Sequence, residues 1–156
     1  VSNAAINQAK TIDDVLANID QVIPFIELPD LVVQAPPQLN GAAIAAINVG
    51  ARLGVGGTPI TVPRTAAFAN ALRDMTVIVK VDGVEADRGK GSDVLGHPLA
   101  AALWLVQDLQ RSGIALKAGQ LLSLGSFSKL LPPKAGQKVS VEYVGLGDVD
   151  VGLIFK

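Results

Sequence analysis

The sequence predicts an α+β domain, mainly a β roll or sandwich with a few helices, and three observations carry that prediction. Helical spacing of apolar residues is confined to one long segment and a few short ones. Strand-like runs crowd the C-terminal stretch, where Val139, Val141 and Tyr143 alternate with polar neighbours. Between two β-branched runs stands Asp82-Gly83, a pair suited to the positive backbone angles of a two-residue hairpin turn. Helices and strands do not alternate regularly, so a parallel βαβ sheet is not expected. With 156 residues, 49% of them hydrophobic, the chain can bury a core of its own. No internal repeat or interdomain linker interrupts it, so residues 1–156 read as a single domain.

The elements follow in order. Thr11 with Asp14 three residues later has the form of a capping box, and Ile12, Val15, Leu16 and Ile19 recur at helical spacing, so a helix is expected over 11–19. Residues 22–28, Val-Ile-Pro-Phe-Ile-Glu-Leu, read as a strand that sets Glu27 among apolar neighbours. Pro29, Pro36, Pro37 and Gly41 make residues 29–41 irregular, up to Asn40 as the N-cap of a short alanine-rich helix ending near Asn48 or Gly50. Residues 54–57, Gly-Val-Gly-Gly, are expected as a turn ahead of a short strand over 58–62. The hairpin occupies residues 76–86. A long, largely buried helix opens at Gly96-His97-Pro98 and runs to Ser112, where Gly113 closes it. Its apolar face carries Leu99, Ala102, Leu103, Leu105, Val106 and Leu109. Strands are expected over 120–124, 138–144 and 148–155.

Composition excludes several classes of function. The 13 basic and 14 acidic residues leave a formal charge of -1, which gives no footprint for nucleic acid or an anionic membrane, so neither is expected as a partner. The longest apolar runs fall far short of the roughly 20 residues needed to span a bilayer. At the start, Val1-Ser2-Asn3-Ala4 shows no basic region followed by an apolar one. Without cysteine there are no disulfides, thiolate ligands or cysteine nucleophiles, and the default compartment is the cytoplasm. Charged residues are only 17% of the chain, low for a free surface, so a homo-oligomer is expected.

With one histidine and no cysteine, the usual nitrogen and sulfur zinc sites are not available in one chain. His97 at a helix start is expected to cap or pack, and no serine occupies a nucleophile-elbow sequence. The 54–57 glycine run lacks the lysine-serine pair of a phosphate loop. Glu85-Ala86-Asp87 beside the hairpin turn reads as a solvated cluster. Glu27 and Asp30 remain, since hard cations take carboxylate oxygens. Three residues apart on an extended segment, the two reach one ion only if Pro29 bends the chain, and Glu27 at a strand end is equally compatible with a salt bridge or exposure.

Gly96-His97-Pro98-Leu99 with Trp104-Leu105, then Leu116-Lys117-Ala118-Gly119, Leu124-Gly125-Ser126, Ala135-Gly136 and Gly145-Leu146-Gly147 form the longest of three ordered segments. Together the three resemble the 2-keto-4-pentenoate hydratase and 4-oxalocrotonate decarboxylase group of the fumarylacetoacetate hydrolase superfamily. The family reads G-[NH]-P-L, A-W-L, L-K-A-G, L-[ST]-G-S, P-G and G-L-G in the same order. The second segment is Pro24-Phe25-Ile26-Glu27-Leu28-Pro29-Asp30 with the helix before it, similar to P-x-[IL]-E-[IV]-x-D. The third is Ala46-Ile47-Asn48, which stands where the family has A-D-N.

The resemblance implies a fold like the C-terminal domain of fumarylacetoacetate hydrolase and spans the later part of a family member, after its E-x-E motif. It implies a lyase that adds water to a 2-hydroxydienoate or 2-oxo-enoate, or a related decarboxylase or carbon-carbon hydrolase. The implied cofactor is Mg2+ or Mn2+, the implied partner a small-molecule 2-oxo acid. Glu27 corresponds to the one metal ligand carried over; Gly125, Ser126 and Asn48 correspond to substrate-contacting positions; no catalytic residue is assigned. The chain also departs from the pattern. It contains no E-x-E, Leu31 and Val32 replace a serine-arginine pair, and Ile47 replaces the aspartate of A-D-N. These departures imply either a more apolar substrate or a catalytically incomplete binding or assembly module on the same scaffold.

Overall fold

A computed structural model describes residues 1–33 and 39–156. In chain order they form α1 (Ile12–Ala17), β1 (Gln21–Val22), β2 (Phe25–Leu28), α2 (Gly41–Ala46), β3 (Leu53–Gly56), β4 (Ile60–Thr61), α3 (Ala66–Asp74), β5 (Thr76–Val81), β6 (Val84–Lys90), α4 (Pro98–Arg111), β7 (Lys138–Val144) and β8 (Val149–Ile154). Short 3-10 turns lie at Ala4–Gln8, Asn48–Gly50 and Gly91–Asp93. This is the α+β class the sequence predicts.

The frame is a four-stranded antiparallel sheet in the order β6-β5-β7-β8. Asp82 and Gly83 adopt φ of 51° and 81°, forming the expected hairpin turn between β5 and β6. Register then decides the core. Val79 opposes Val141, which opposes Val151, and Val77 opposes Tyr143, so side chains of period two meet in rows on one face. All five are buried, and α4 supplies Leu99, Ala102 and Val106 to the same core. Val15 and Leu16 of α1 join it from the other end of the chain.

The caps follow the sequence closely. Thr11 and Asp14 form a reciprocal capping box, Asn40 Oδ1 accepts from the Ala43 amide, and His97 Nδ1 accepts from the Leu99 amide at 3.0 Å with Pro98 at the first helical position. Gly113, at φ 70°, lies just past the end of α4.

The structure departs from the expectations in several places. Pro24 divides the strand expected over 22–28 into β1 and β2, because it has no amide to give a ladder. The 54–57 glycine run is mostly strand, not turn: Gly54 lies opposite Glu27 in β3, and a Cβ there would sit 2.0 Å from the Phe25 ring. The glycine makes room for an aromatic side chain on the neighbouring strand. Helix α3 was not expected, although Thr65 caps it and Ala69 and Leu72 face the core at helical spacing. No strand forms at 120–124, since residues 114–137 carry no helix or strand. Leu122, Leu124, Phe127 and Leu131 pack on the core from that irregular chain, so the apolar run records burial without a ladder. The strand expected over 58–62 is the two-residue β4, paired with β1. The irregular stretch around Pro36 and Pro37 lies outside the described residues.

Side chains fix the irregular segment where ladders would otherwise do so. Asn7 donates to the Leu116 carbonyl and accepts from the Leu116 amide, both at 2.8 Å. Asp87 accepts from the Lys129 amide at 3.0 Å. Gly89 of β6 permits the closest approach, because a Cβ there would stand 2.2 Å from the Phe127 carbonyl oxygen.

Candidate functional site

Between the buried face of the sheet, α4 and the irregular 120–133 stretch lies a cavity of about 710 Å3. Strand β2 forms one wall, which brings Glu27 to it, while Gly125 and Ser126 border it from the irregular segment. Three of the four sequence-expected site residues therefore meet at one cavity, although nearly a hundred positions separate the first from the others. Asn48 is not among the residues lining it. It stands beyond the end of α2, at φ 50°, in the 3-10 turn whose Gly50 carbonyl accepts from the Asp30 amide at 2.9 Å.

Glu27 sits where a strand end presents it to the cavity, and Ser123 Oγ donates to its Oε1 across 96 positions of sequence. Ser123 was not singled out from sequence; its only signal is its place just ahead of Leu124-Gly125-Ser126. Asp30 takes a different role. Its carboxylate is paired with Arg52 and accepts from the Val32 amide at 3.2 Å, so Pro29 does not turn it toward Glu27 in a shared ion site. The Ser126 hydroxyl is also committed: Oγ donates to the Ser128 carbonyl at 2.8 Å and accepts from the Ser128 amide at 3.2 Å. One hydroxyl proton serves one acceptor, so Ser126 shapes a turn here. A Cβ at Gly125 would meet only Val94, at 3.5 Å, so the fold itself does not demand glycine there.

Tyr143 closes the inner end. Its hydroxyl donates to the Phe25 carbonyl and accepts from the Phe25 amide, both at 3.2 Å, tying β7 to β2. Burial pushes the phenol's pKa up, against the smaller opposing effect of its bond to Phe25. The Phe127 ring stands edge-on to Tyr143, with centroids 6.4 Å apart. His97 lies outside this arrangement. Burial lowers its pKa and its Nδ1 is spent on the helix cap, which fits the structural role expected of it. Glu85 pairs with Arg88 at the surface, as the solvated-cluster expectation has it.

A divalent ion needs several oxygen ligands, usually with more than one carboxylate among them. Among the described residues no group of three or more histidine, aspartate or glutamate side chains is placed to hold a metal ion, and Glu27 is the one carboxylate bordering the cavity. By themselves these residues do not make a metal site.

No family model matches the chain. Curated relatives do. It is 31% identical over 141 residues to the 2-hydroxyhexa-2,4-dienoate hydratase of Comamonas testosteroni, covering 90% of this chain and 52% of that one. It is 30% identical over 147 residues to the 2-oxo-hept-4-ene-1,7-dioate hydratase of Escherichia coli, covering 89% and 52%. Its fold matches 4-oxalocrotonate decarboxylase from Pseudomonas putida G7, in a complex with magnesium and adipate, with a TM-score of 0.81 at 26% identity over 93% of this chain and 52% of that one. The chain spans about half the length of the relatives it matches. Sequence and fold thus agree that the chain is a homologue of the 2-keto-4-pentenoate hydratase and 4-oxalocrotonate decarboxylase group.

Proposed function

We propose that the cavity is the substrate-enclosing part of a hydratase that adds water to a 2-hydroxydienoate or 2-oxo-enoate. The observation that carries this is the convergence of Glu27 and Gly125 on one largely apolar cavity open to solvent at their end. Apolar walls with a few placed polar groups are the usual form of a small-molecule site. On this reading the Gly125 amide and its neighbours orient the acid end of the substrate, and the aliphatic walls exclude bulk water so that a positioned water is the one that adds. Ser123 holds the Glu27 carboxylate in place.

The relatives' structures carry magnesium or calcium. Mg2+ or Mn2+ would be held here by Glu27 together with carboxylates from beyond these 156 residues or from a second copy, and its chemistry when bound would be Lewis-acid stabilisation of an enolate. The fold, on the same proposal, is a β roll like the C-terminal domain of fumarylacetoacetate hydrolase, folding as one domain within a cytoplasmic homo-oligomer.

The test is the loss of the dienoate absorbance of 2-hydroxypenta-2,4-dienoate with the purified protein, across a magnesium titration. Magnesium-dependent hydration that falls at least tenfold in Glu27→Gln is expected. A rate equal to that without protein, at every magnesium concentration, contradicts the proposal. Product analysis on other 2-oxo acids separates hydration from decarboxylation and carbon-carbon hydrolysis. The solitary position of Glu27 favours one alternative, a metal-free binding module, in which Glu27→Gln leaves ligand affinity unchanged.

A further inference from the structure

Two exposed apolar surfaces flank the open end of the cavity. The first is an arm. Strands β2 and β3 pair as far as Leu28 and Leu53, and the chain between them leaves the end of this ribbon and returns to it. Asp30 pairs with Arg52 at the base, and residues 31–51 contain no charged side chain. Val32, Leu39, Ile44 and Val49 are exposed along the arm, and α2 has no buried residue. A helix of six residues does not hold its shape in water alone, so α2 needs a surface to pack on. The second surface is a groove on the far side of the 123–126 segment, lined by Val94, Leu95, Trp104, Leu105 and Leu124. Trp104 is 55% exposed there and Leu95 65%. Strain marks both surfaces. Val32, Val49 and Leu95 adopt φ of 36°, 59° and 51°, a left-handed conformation that aliphatic side chains avoid. Such conformations persist where surrounding contacts hold them, and exposed side chains find few of those within the chain.

Resting on the homo-oligomer of the proposed function, we propose that these two surfaces meet between two copies of this chain. The arm of each copy lies in the Trp104 groove of the other, related by a twofold axis, and covers the other's cavity mouth. Ser123 fixes the relation of arm and groove. It lines the groove and donates to Glu27, on the strand that leads into the arm, so the two surfaces adjoin on one side of the molecule. An apolar arm beside an apolar recess is self-complementary under a twofold, where every contact occurs twice. Size agrees, because the described arm residues and the groove lining together come to the roughly 20–30 residues a side of a standard interface. Charge agrees as well. An uncharged arm offers nothing to a nucleic acid or to an acidic or basic partner, and the acid at the groove, Asp93, already accepts from the Lys90 amide at 2.7 Å.

Sedimentation of the purified protein at micromolar concentration is expected to give an even multiple of the monomer mass. Ile44→Asp in the arm and Trp104→Arg in the groove each place a charge in the contact and are expected to weaken this association at least tenfold, with circular dichroism unchanged. Val84→Asp, at a side chain 71% exposed on the β5–β6 hairpin, is expected to leave it intact. Mixing the arm variant with the groove variant tests reciprocity. One contact is then native and the other sets the introduced acid against the introduced base, so the mixed pair is expected to associate. A monomer mass, an odd multiple, or an assembly that survives both substitutions overturns the proposal; so does a mixture that stays apart, which would set arm on arm. Amide hydrogen exchange separates the occupants. Protection of residues 41–49 that rises with protein concentration is expected, whereas protection independent of concentration would assign the cover to another part of the same protein and overturn it. A monomer that still hydrates the dienoate leaves the proposed function standing.

Discussion

The four-stranded sheet and the irregular 114–137 segment enclose the same cavity and are held in place by different physics. In the sheet, every strand is fixed by a ladder whose register sets Val79, Val141 and Val151 in one buried row. A slip by one residue would turn all of them to solvent, so position is determined along the whole strand. The irregular segment has no ladder. It is pinned at intervals by Asn7, Glu27 and Asp87 and pressed onto the core by Leu122, Leu124, Phe127 and Leu131. The lesson is a division of labour: the ladder supplies a rigid apolar wall, and the pinned segment supplies the exposed backbone and polar groups that a ligand can use.

The sharpest way to break this comparison is to truncate a leucine buried in the core that backs the sheet and one that the irregular segment exposes. Leu16→Ala, at a side chain 5% exposed in α1, is expected to lower unfolding free energy by about 2–5 kcal/mol in urea denaturation. Leu130→Ala, at a side chain 67% exposed on the irregular segment, is expected to change it by less than about 0.5 kcal/mol. Equal losses would show that the segment is as integral to the core as the helices. Next in size is Gly89→Ala. The added methyl collides with the Phe127 carbonyl, so the segment must move; a loss of about 1–3 kcal/mol is expected, accompanied by weaker binding of 2-oxo acids.

Tyr143→Phe removes the hydrogen bonds to Phe25 and is expected to cost about 0.5–1.5 kcal/mol for each, measured by chemical denaturation. The same residue makes a pH prediction. Because its pKa is raised in the folded chain, the stability it contributes is fully present below the ordinary phenol value of about 10 and is lost as pH rises through the folded value. Stability should therefore decline above pH ~10 less steeply in Tyr143→Phe than in the parent. The smallest stability effect is expected at Ser123→Ala, below about 0.5 kcal/mol, since both partners of its hydrogen bond are exposed. Ligand affinity should nonetheless fall severalfold, because Glu27 loses the group that orients it.

How much of this was legible in sequence follows the same division. Period-two alternation in Val139, Val141 and Tyr143, the Asp82-Gly83 turn and the proline after His97 are local signals, and each marked its element correctly. Residues 120–124 misled because an apolar run reports burial, and burial is reached here without strand pairing. Helix α3 was missed because its one-sided pattern is short and begins among small residues. For the site, motif likeness pointed to Glu27 and Gly125, which the fold brings to one cavity. The bond from Ser123 to Glu27 joins positions 96 apart and had no sequence spacing to announce it. The engagement of Asp30 with Arg52, and of the Ser126 hydroxyl with Ser128, likewise depends on side-chain directions that residue types alone do not set.

The most direct test of the account is to map a bound 2-oxo acid by amide chemical shifts in the 15N-labelled protein. The largest perturbations are predicted at Glu27 and residues 123–126, with the Asp82-Gly83 turn unaffected. Saturable shifts confined to other surfaces, with these amides unmoved, would contradict it.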